Sequence, residues 1–142
     1  MSRSRNYEFC KGDMAGMNNS PKTILIVEDE DDLRVMLSMR LRTVRGCRVI
    51  TAADGRSALA LAEREKPDLI LMDLNMPHLD GFGAIEQIKG HADTLHIPIV
   101  AVSNHCWSFG WQDRASELGC VQCVDKTSLL QSLDSLLQQY TA

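Results

Sequence analysis

Five short apolar runs punctuate the chain, and each is followed by a stretch with apolar residues three and four apart. Thr23 to Val27 reads as a first strand. After an acidic cluster, Leu33, Met36, Leu37, Arg40, Leu41 and Val44 recur at helical spacing, with Arg40 the one polar exception, and Gly46 ends that helix. Arg48 to Thr51 is a second, shorter strand. Gly55 to Lys66 is a second helix with Ala58, Leu59, Leu61 and Ala62 on its apolar side, stopped by Pro67. Leu69 to Met72 makes a third strand ending on Asp73, and Gly83 to Lys89 a third helix carrying Ile85 and Ile88. Ile97 to Val102 is a fourth strand, with Pro98 near its start, where a missing N–H matters least. His105 to Leu118 is a fourth helix closed by Gly119, and Val121 to Val124 a fifth strand. Ser128 to Tyr140 is a last helix, with Leu129, Leu130, Leu133, Leu136 and Leu137 at helical spacing and Thr127 or Ser128 as its cap.

Strand and helix thus alternate five times, the signature of a doubly wound α/β fold: a five-stranded parallel sheet flanked by five helices. Strands buried on both faces read as continuous apolar runs, as these do. Residues 1–21 are rich in Ser, Asn, Gly and Met without a sustained period, so a flexible tail is expected there and one domain over 22–142.

Composition narrows the classes. The hydrophobic share of 44% is enough for a core, but with 5% aromatic residues aliphatic side chains must do the packing. The net charge of −4 argues against a nucleic-acid surface. It is unevenly spread: residues 1–22 carry four basic and two acidic side chains, the remainder eleven basic and seventeen acidic. No apolar stretch approaches the roughly 20 residues of a membrane span, and no signal-peptide core opens the chain. A cytoplasmic protein with no membrane association is the expectation. Five scattered cysteines do not form a secreted disulfide framework.

The polar residues at the strand ends carry the chemistry. Ligands of open parallel sheets bind beyond the carboxyl ends of the strands, where strand order reverses. Glu28 and Asp29 follow the first strand, Asp73 and Asn75 the third, Ser103 the fourth and Lys126 the fifth. In the order 2-1-3-4-5, the first and third strands are neighbours, which sets Asp29 beside Asp73. Carboxylates about 5 Å apart at an effective dielectric of about 20 repel by ~3 kcal/mol per pair, a cost that a divalent cation removes. All-oxygen ligands favour Mg²⁺ over zinc. With a hydroxyl (Ser103) and an ammonium (Lys126) added, the edge can hold a tetrahedral anion, and a facing Asp is a candidate nucleophile that can form an acyl phosphate.

The segments ILIVEDEDDLR, LILMDLNMPHLDG and IPIVAVS, with Lys126 at the last strand end, resemble the receiver domain of bacterial response regulators over about Lys22 to Tyr140. The resemblance implies a flavodoxin-like fold and a phosphorylatable signalling switch rather than an enzyme in the usual sense. Asp73 would accept a phosphoryl group from a phosphohistidine on a sensor histidine kinase or histidine phosphotransfer protein. Asp29 would bind Mg²⁺ directly, with help from Glu28 and the backbone carbonyl of Asn75. Ser103 and Lys126 would contact phosphoryl oxygens. The state would pass through the face of the fourth helix, fifth strand and fifth helix, either to a downstream protein or to a second copy of the chain. No DNA-binding or enzymatic output segment follows the last helix, so the expectation is a stand-alone receiver or one cut from a longer chain.

Three features depart from the family pattern. Cys123 stands where the fifth strand usually carries a Tyr or Phe, so the aromatic part of the family's switch has no side chain at this position. Thr127 follows Lys126 where a Pro is usual, which predicts a reshaped turn. The fourth helix region is one residue longer than the family pattern, holds both Trp107 and Trp111, and has Gly110 inside it, where Gly costs about 1 kcal/mol relative to Ala.

Blander readings compete. Glu30, Asp31 and Asp32 suit a solvated helix N-terminus. Trp107 and Trp111 pack on the sheet or form an exposed anchor. Cys120 and Cys123 form a C-x-x-C, but at a strand start rather than a helix start, and read as two small buried residues rather than a redox pair. His78, His91, His96 and His105 read as surface. A phosphorylation-independent docking module is the alternative function. A metal-dependent phosphatase is disfavoured because Asn75 replaces the second Asp it needs.

Overall fold

The computed structural model describes residues 21–75, 81–104 and 110–141. The expected tail, His78, His105, Cys106 and Trp107 lie outside them. Five strands, β1 (Thr23–Val27), β2 (Arg48–Ala52), β3 (Leu69–Asp73), β4 (Ile99–Ser103) and β5 (Gln122–Asp125), form one parallel sheet in the order β2-β1-β3-β4-β5. The helices are α1 (Asp31–Arg45), α2 (Gly55–Glu65), α3 (Gly81–Lys89), α4 (Trp111–Glu117) and α5 (Leu129–Thr141), the last preceded by a 3₁₀ turn over Lys126–Ser128.

Alternation along the strands sorts the core into two layers. Ile24, Ile26, Leu69, Leu71, Val100 and Val102 face α1 and α5, which contribute Leu37, Leu41, Leu129, Leu133, Leu136 and Leu137. Leu25, Val27, Ile70, Met72, Ile99 and Ala101 face the other way, onto Ala58 and Ala62 of α2, Ile85 and Ile88 of α3 and Ala115 of α4. The small alanines of α2 let that helix lie close to β1. Asp68 fixes the start of β3 in register by accepting the Thr23 N–H at 2.8 Å.

The ends follow local chemistry. Gly46 closes α1 in the left-handed region (φ 66°), its N–H bonded to the Arg42 carbonyl. Asp54 caps α2 by accepting the Ser57 N–H at 2.8 Å. Thr127 and Ser128, expected as caps of α5, lie in the 3₁₀ turn that precedes it. Asp125 caps that turn: its Oδ1 accepts the Thr127 N–H, and its carbonyl accepts the Ser128 hydroxyl. No cis peptide occurs among the described residues. In α1, Met36 also departs from expectation. It is 50% exposed, with Val35 and Met39, and the inward face is Leu33, Leu37, Ser38 and Leu41.

Gly81 begins α3 against the backbone that leaves β3. A Cβ there would sit 2.4 Å from the Asp73 carbonyl oxygen and 2.4 Å from the Leu74 Cα, neither of which can yield as a side-chain tip can. Gly81→Ala therefore lowers folding stability by about 2 kcal/mol through overpacking, measured as a shifted urea midpoint at unchanged slope.

Candidate functional site

Topology gathers the residues that sequence had separated. β1 ends beside β3, so Glu28 and Asp29 stand next to Asp73. Asp73 pairs in register with Val102, and Ser103 with Asp125, which places the Ser103 hydroxyl and the start of the Lys126 turn along the same edge. One carboxylate oxygen from each of Glu28, Asp29 and Asp73 falls within 4.8 Å of the others. Glu28 is 2% exposed and Asp73 1%, whereas Asp29 faces solvent. The edge is thus a pocket floored by two buried carboxylates and rimmed by a third.

Each buried acid is held. The Asp73 Oδ1 accepts the Asn75 N–H at 2.9 Å and its Oδ2 accepts from Lys126 Nζ at 3.3 Å. The Glu28 Oε2 accepts the Glu30 N–H and Lys126 Nζ, both at 3.1 Å. The Lys126 ammonium, its side chain 15% exposed, is therefore a bridge between two carboxylates. Ser103 is fully buried, and its hydroxyl donates to the Asn75 side-chain oxygen at 3.1 Å. Every site residue expected from the sequence is in this cluster.

Electrostatics record the crowding. Burial, reinforced by the Asp73 charge, raises the Glu28 carboxyl to about 7, against the Glu30 N–H and Lys126, which pull it down. Burial works to lower the Lys126 ammonium, but Asp73 and Glu28 outweigh it and hold it above its ordinary value. Glu28, unlike the usual paired carboxylate, binds its proton more tightly folded than unfolded. Its contribution to stability is present below its unfolded value of 4.5 and is lost as pH rises through about 7. Metal-free protein accordingly loses on the order of 3 kcal/mol of stability between pH 5 and 8 through this group. Urea denaturation in chelator across that range measures it, and divalent cation restores more stability at the alkaline end.

Two features went unread in the sequence. Arg34 reaches back from α1, its Nη1 donating to the Glu28 carbonyl at 2.8 Å and its Nη2 to the Asp31 carboxylate. That contact occupies Asp31 away from the pocket, so the five-acid run divides into pocket and surface members. The i, i+3 spacing of Asp31 and Arg34 was the available signal. The second is the Lys126 bridge, which only the topology reveals. His91 and His96 are exposed, as expected. The cysteine reading needs correcting. Cys120 and Cys123 are half-buried rather than buried. Cys123 is disulfide-bonded, though not to Cys120, which is a free thiol raised to about 11 by burial. Trp111 packs half-buried on Phe82, with ring centroids 5.2 Å apart.

Oxygen donors of this number and charge suit a hard divalent cation. Among the described residues no helix is long and apolar enough to cross a membrane.

The chain is similar to known proteins over most of its length. The response regulator receiver domain family matches residues 24–138. The chain is 34% identical over 106 residues to the polar-differentiation response regulator DivK of Brucella anthropi, covering 75% of this chain and 85% of that one. It is 38% identical over 90 residues to the probable transcriptional regulator ycf27 of Porphyra purpurea, spanning 63% of this chain but only 37% of that relative's length. In three dimensions it matches the receiver domain of the sensor histidine kinase PA1611 of Pseudomonas aeruginosa, solved with a magnesium ion coordinated in its active-site cleft. The TM-score is 0.77 at 30% identity, covering 85% of this chain and 98% of that one.

Proposed function

The chain belongs to the response regulator receiver domain family, and from that premise we propose that it is a phosphoacceptor of two-component signalling, phosphorylated on Asp73 with Mg²⁺ bound. The observation that carries this reading is the convergence of Glu28, Asp29 and Asp73 on one point, with Lys126 bridging the two buried acids. Glu28, Asp29, Asp73 and the backbone carbonyl of Asn75 would hold the ion. When bound, Mg²⁺ would neutralise the carboxylates and the incoming phosphoryl oxygens.

In the transfer, an Asp73 carboxylate oxygen forms a bond to phosphorus as the histidine N–P bond breaks. The imidazole leaves with the N–P electron pair and takes up a proton from solvent. The product is a mixed acyl phosphate, and water later returns the carboxylate and inorganic phosphate. Lys126 lies within reach of one Asp73 oxygen and is free to shift onto a phosphoryl oxygen once Glu28 is engaged elsewhere. Ser103 exchanges its Asn75 partner for another phosphoryl oxygen. The phosphodonor is a histidine on a kinase or phosphotransfer protein, and the listener binds the surface of α4, β5 and α5. The relationship to DivK, a response regulator of similar length to the matched segment, supports a receiver acting as a unit.

The test is incubation with acetyl phosphate, with and without Mg²⁺, read by intact mass. A Mg²⁺-dependent, hydroxylamine-labile gain of one phosphoryl group is expected. No gain, or one indifferent to Mg²⁺, would reject the proposal.

A further inference from the structure

The contacts that lead away from Asp73 point to a second element. The Gly81 N–H bonds the Leu74 carbonyl at 3.4 Å, and a Cβ added at Gly81 would collide with the backbone of Asp73 and Leu74. The first residue of α3 therefore sits directly against the segment that follows the acceptor. Phe82 is next in the chain. Its ring lies 5.2 Å from that of Trp111 at an interplanar angle of 50°, and the Arg114 guanidinium carbon lies 4.8 Å from its centroid. Trp111 and Arg114 are three apart on α4 and so share a face that receives the Phe82 ring.

Helix α4 is the element most easily displaced by such a contact. It has seven residues, well short of a helix stable on its own, and enters from Gly110 in the left-handed region (φ 88°). Ala115 is its one buried residue. Its position is set by tertiary packing, and the Phe82–Trp111 pair supplies the large rings in that packing. Neighbouring β5 carries no aromatic residue, only the half-buried Cys123 near this helix.

We infer that the Phe82–Trp111 ring pair, flanked by Arg114, couples the phosphorylation state of Asp73 to the placement of α4. This rests on the phosphoacceptor reading above. Phosphorylation draws on the backbone after β3, Gly81 carries the displacement to Phe82, and Phe82 shifts Trp111 and the helix that begins with it. The equilibrium moved is between two placements of α4, and the ring contact differs between them.

The experiment uses the full chain with Trp107→Phe, which leaves Trp111 as its one tryptophan. Trp111 emission and acrylamide quenching are recorded with and without Mg²⁺ and beryllofluoride, and phosphoryl uptake from acetyl phosphate is measured in parallel by mass. The expected result is a change in Trp111 quenching on activation. Phe82→Leu reduces that change at least ~fivefold while phosphoryl uptake stays within about twofold of the parent; Phe82→Tyr, which keeps the ring, preserves it. Should Phe82→Leu not fold, Arg114→Gln on the exposed side is read instead, with about a twofold reduction expected. An unchanged response in whichever of these variants is read overturns the inference, as does a Trp111 signal that stays still while the parent takes up phosphoryl. A parent that takes up no phosphoryl group instead removes the phosphoacceptor reading, and the coupling falls with it.

Discussion

Asp73→Asn leaves the protein unmodified by acetyl phosphate at any Mg²⁺ concentration. The amide keeps the shape of the side chain but cannot supply an anionic oxygen to phosphorus, and no other site carboxylate shares the position. Glu28 is tied to the Glu30 N–H and to Lys126, and Asp29 stands at the exposed rim. The same variant has an electrostatic consequence. The Asp73 charge is the second cause, after burial, of the raised Glu28 carboxyl, so neutralising it lowers Glu28 toward the ordinary carboxylate range. The loss of stability between pH 5 and 8 shrinks with it. Intact-mass spectrometry reads the first effect and urea denaturation against pH the second. Equal modification of wild type and variant would remove Asp73 from its assigned role.

Lys126→Met has the largest effect expected on stability. The ammonium lies 3.1 Å from one buried carboxylate and 3.3 Å from the other, and removing it leaves two like charges facing each other without a counter-ion. Breaking a buried ion pair from one side costs about 3–5 kcal/mol. Here the loss is fullest in alkaline solution. Lys126 pulls the Glu28 carboxyl down, so without it Glu28 holds its proton to higher pH, and that proton removes one of the charges. Mg²⁺ supplies the missing positive charge, so saturating Mg²⁺ raises the melting temperature of the variant more than that of wild type. A variant as stable as wild type in chelator at pH 8 would contradict the bridging role of Lys126.

The strands and the pocket were legible in the sequence for a shared reason. A strand covered on both faces has to be apolar at consecutive positions, so a carboxylate at its last position, as at Asp73, stands out against the run before it. Sheet order then does what sequence distance hides, bringing Glu28 and Asp29 beside Asp73. What was not legible depends on side-chain direction. Helical spacing put Met36 on the inward face of α1, but the helix rotates to bury Leu37, Leu41 and Ser38. The cap of α5 was sought in the hydroxyls of Thr127 and Ser128. Both residues instead fall in a 3₁₀ turn capped by Asp125, which accepts the Thr127 backbone N–H and the Ser128 hydroxyl. The role of Lys126 was read as meeting an incoming anion. In the structure it meets the two buried acids of the pocket. The packing of Trp111 on Phe82 joins residues from separate helices, which no local period encodes.

The most direct test of the account is a crystal of the wild-type chain soaked in Mn²⁺, a spectroscopically visible stand-in for Mg²⁺, with data collected at the manganese edge. The account predicts one anomalous peak in contact with carboxylate oxygens of both Asp29 and Asp73, with Lys126 withdrawn from at least one of its partners. A pocket without that peak in crystals that bind the ion elsewhere, with the ammonium still seated between the acids, would contradict it.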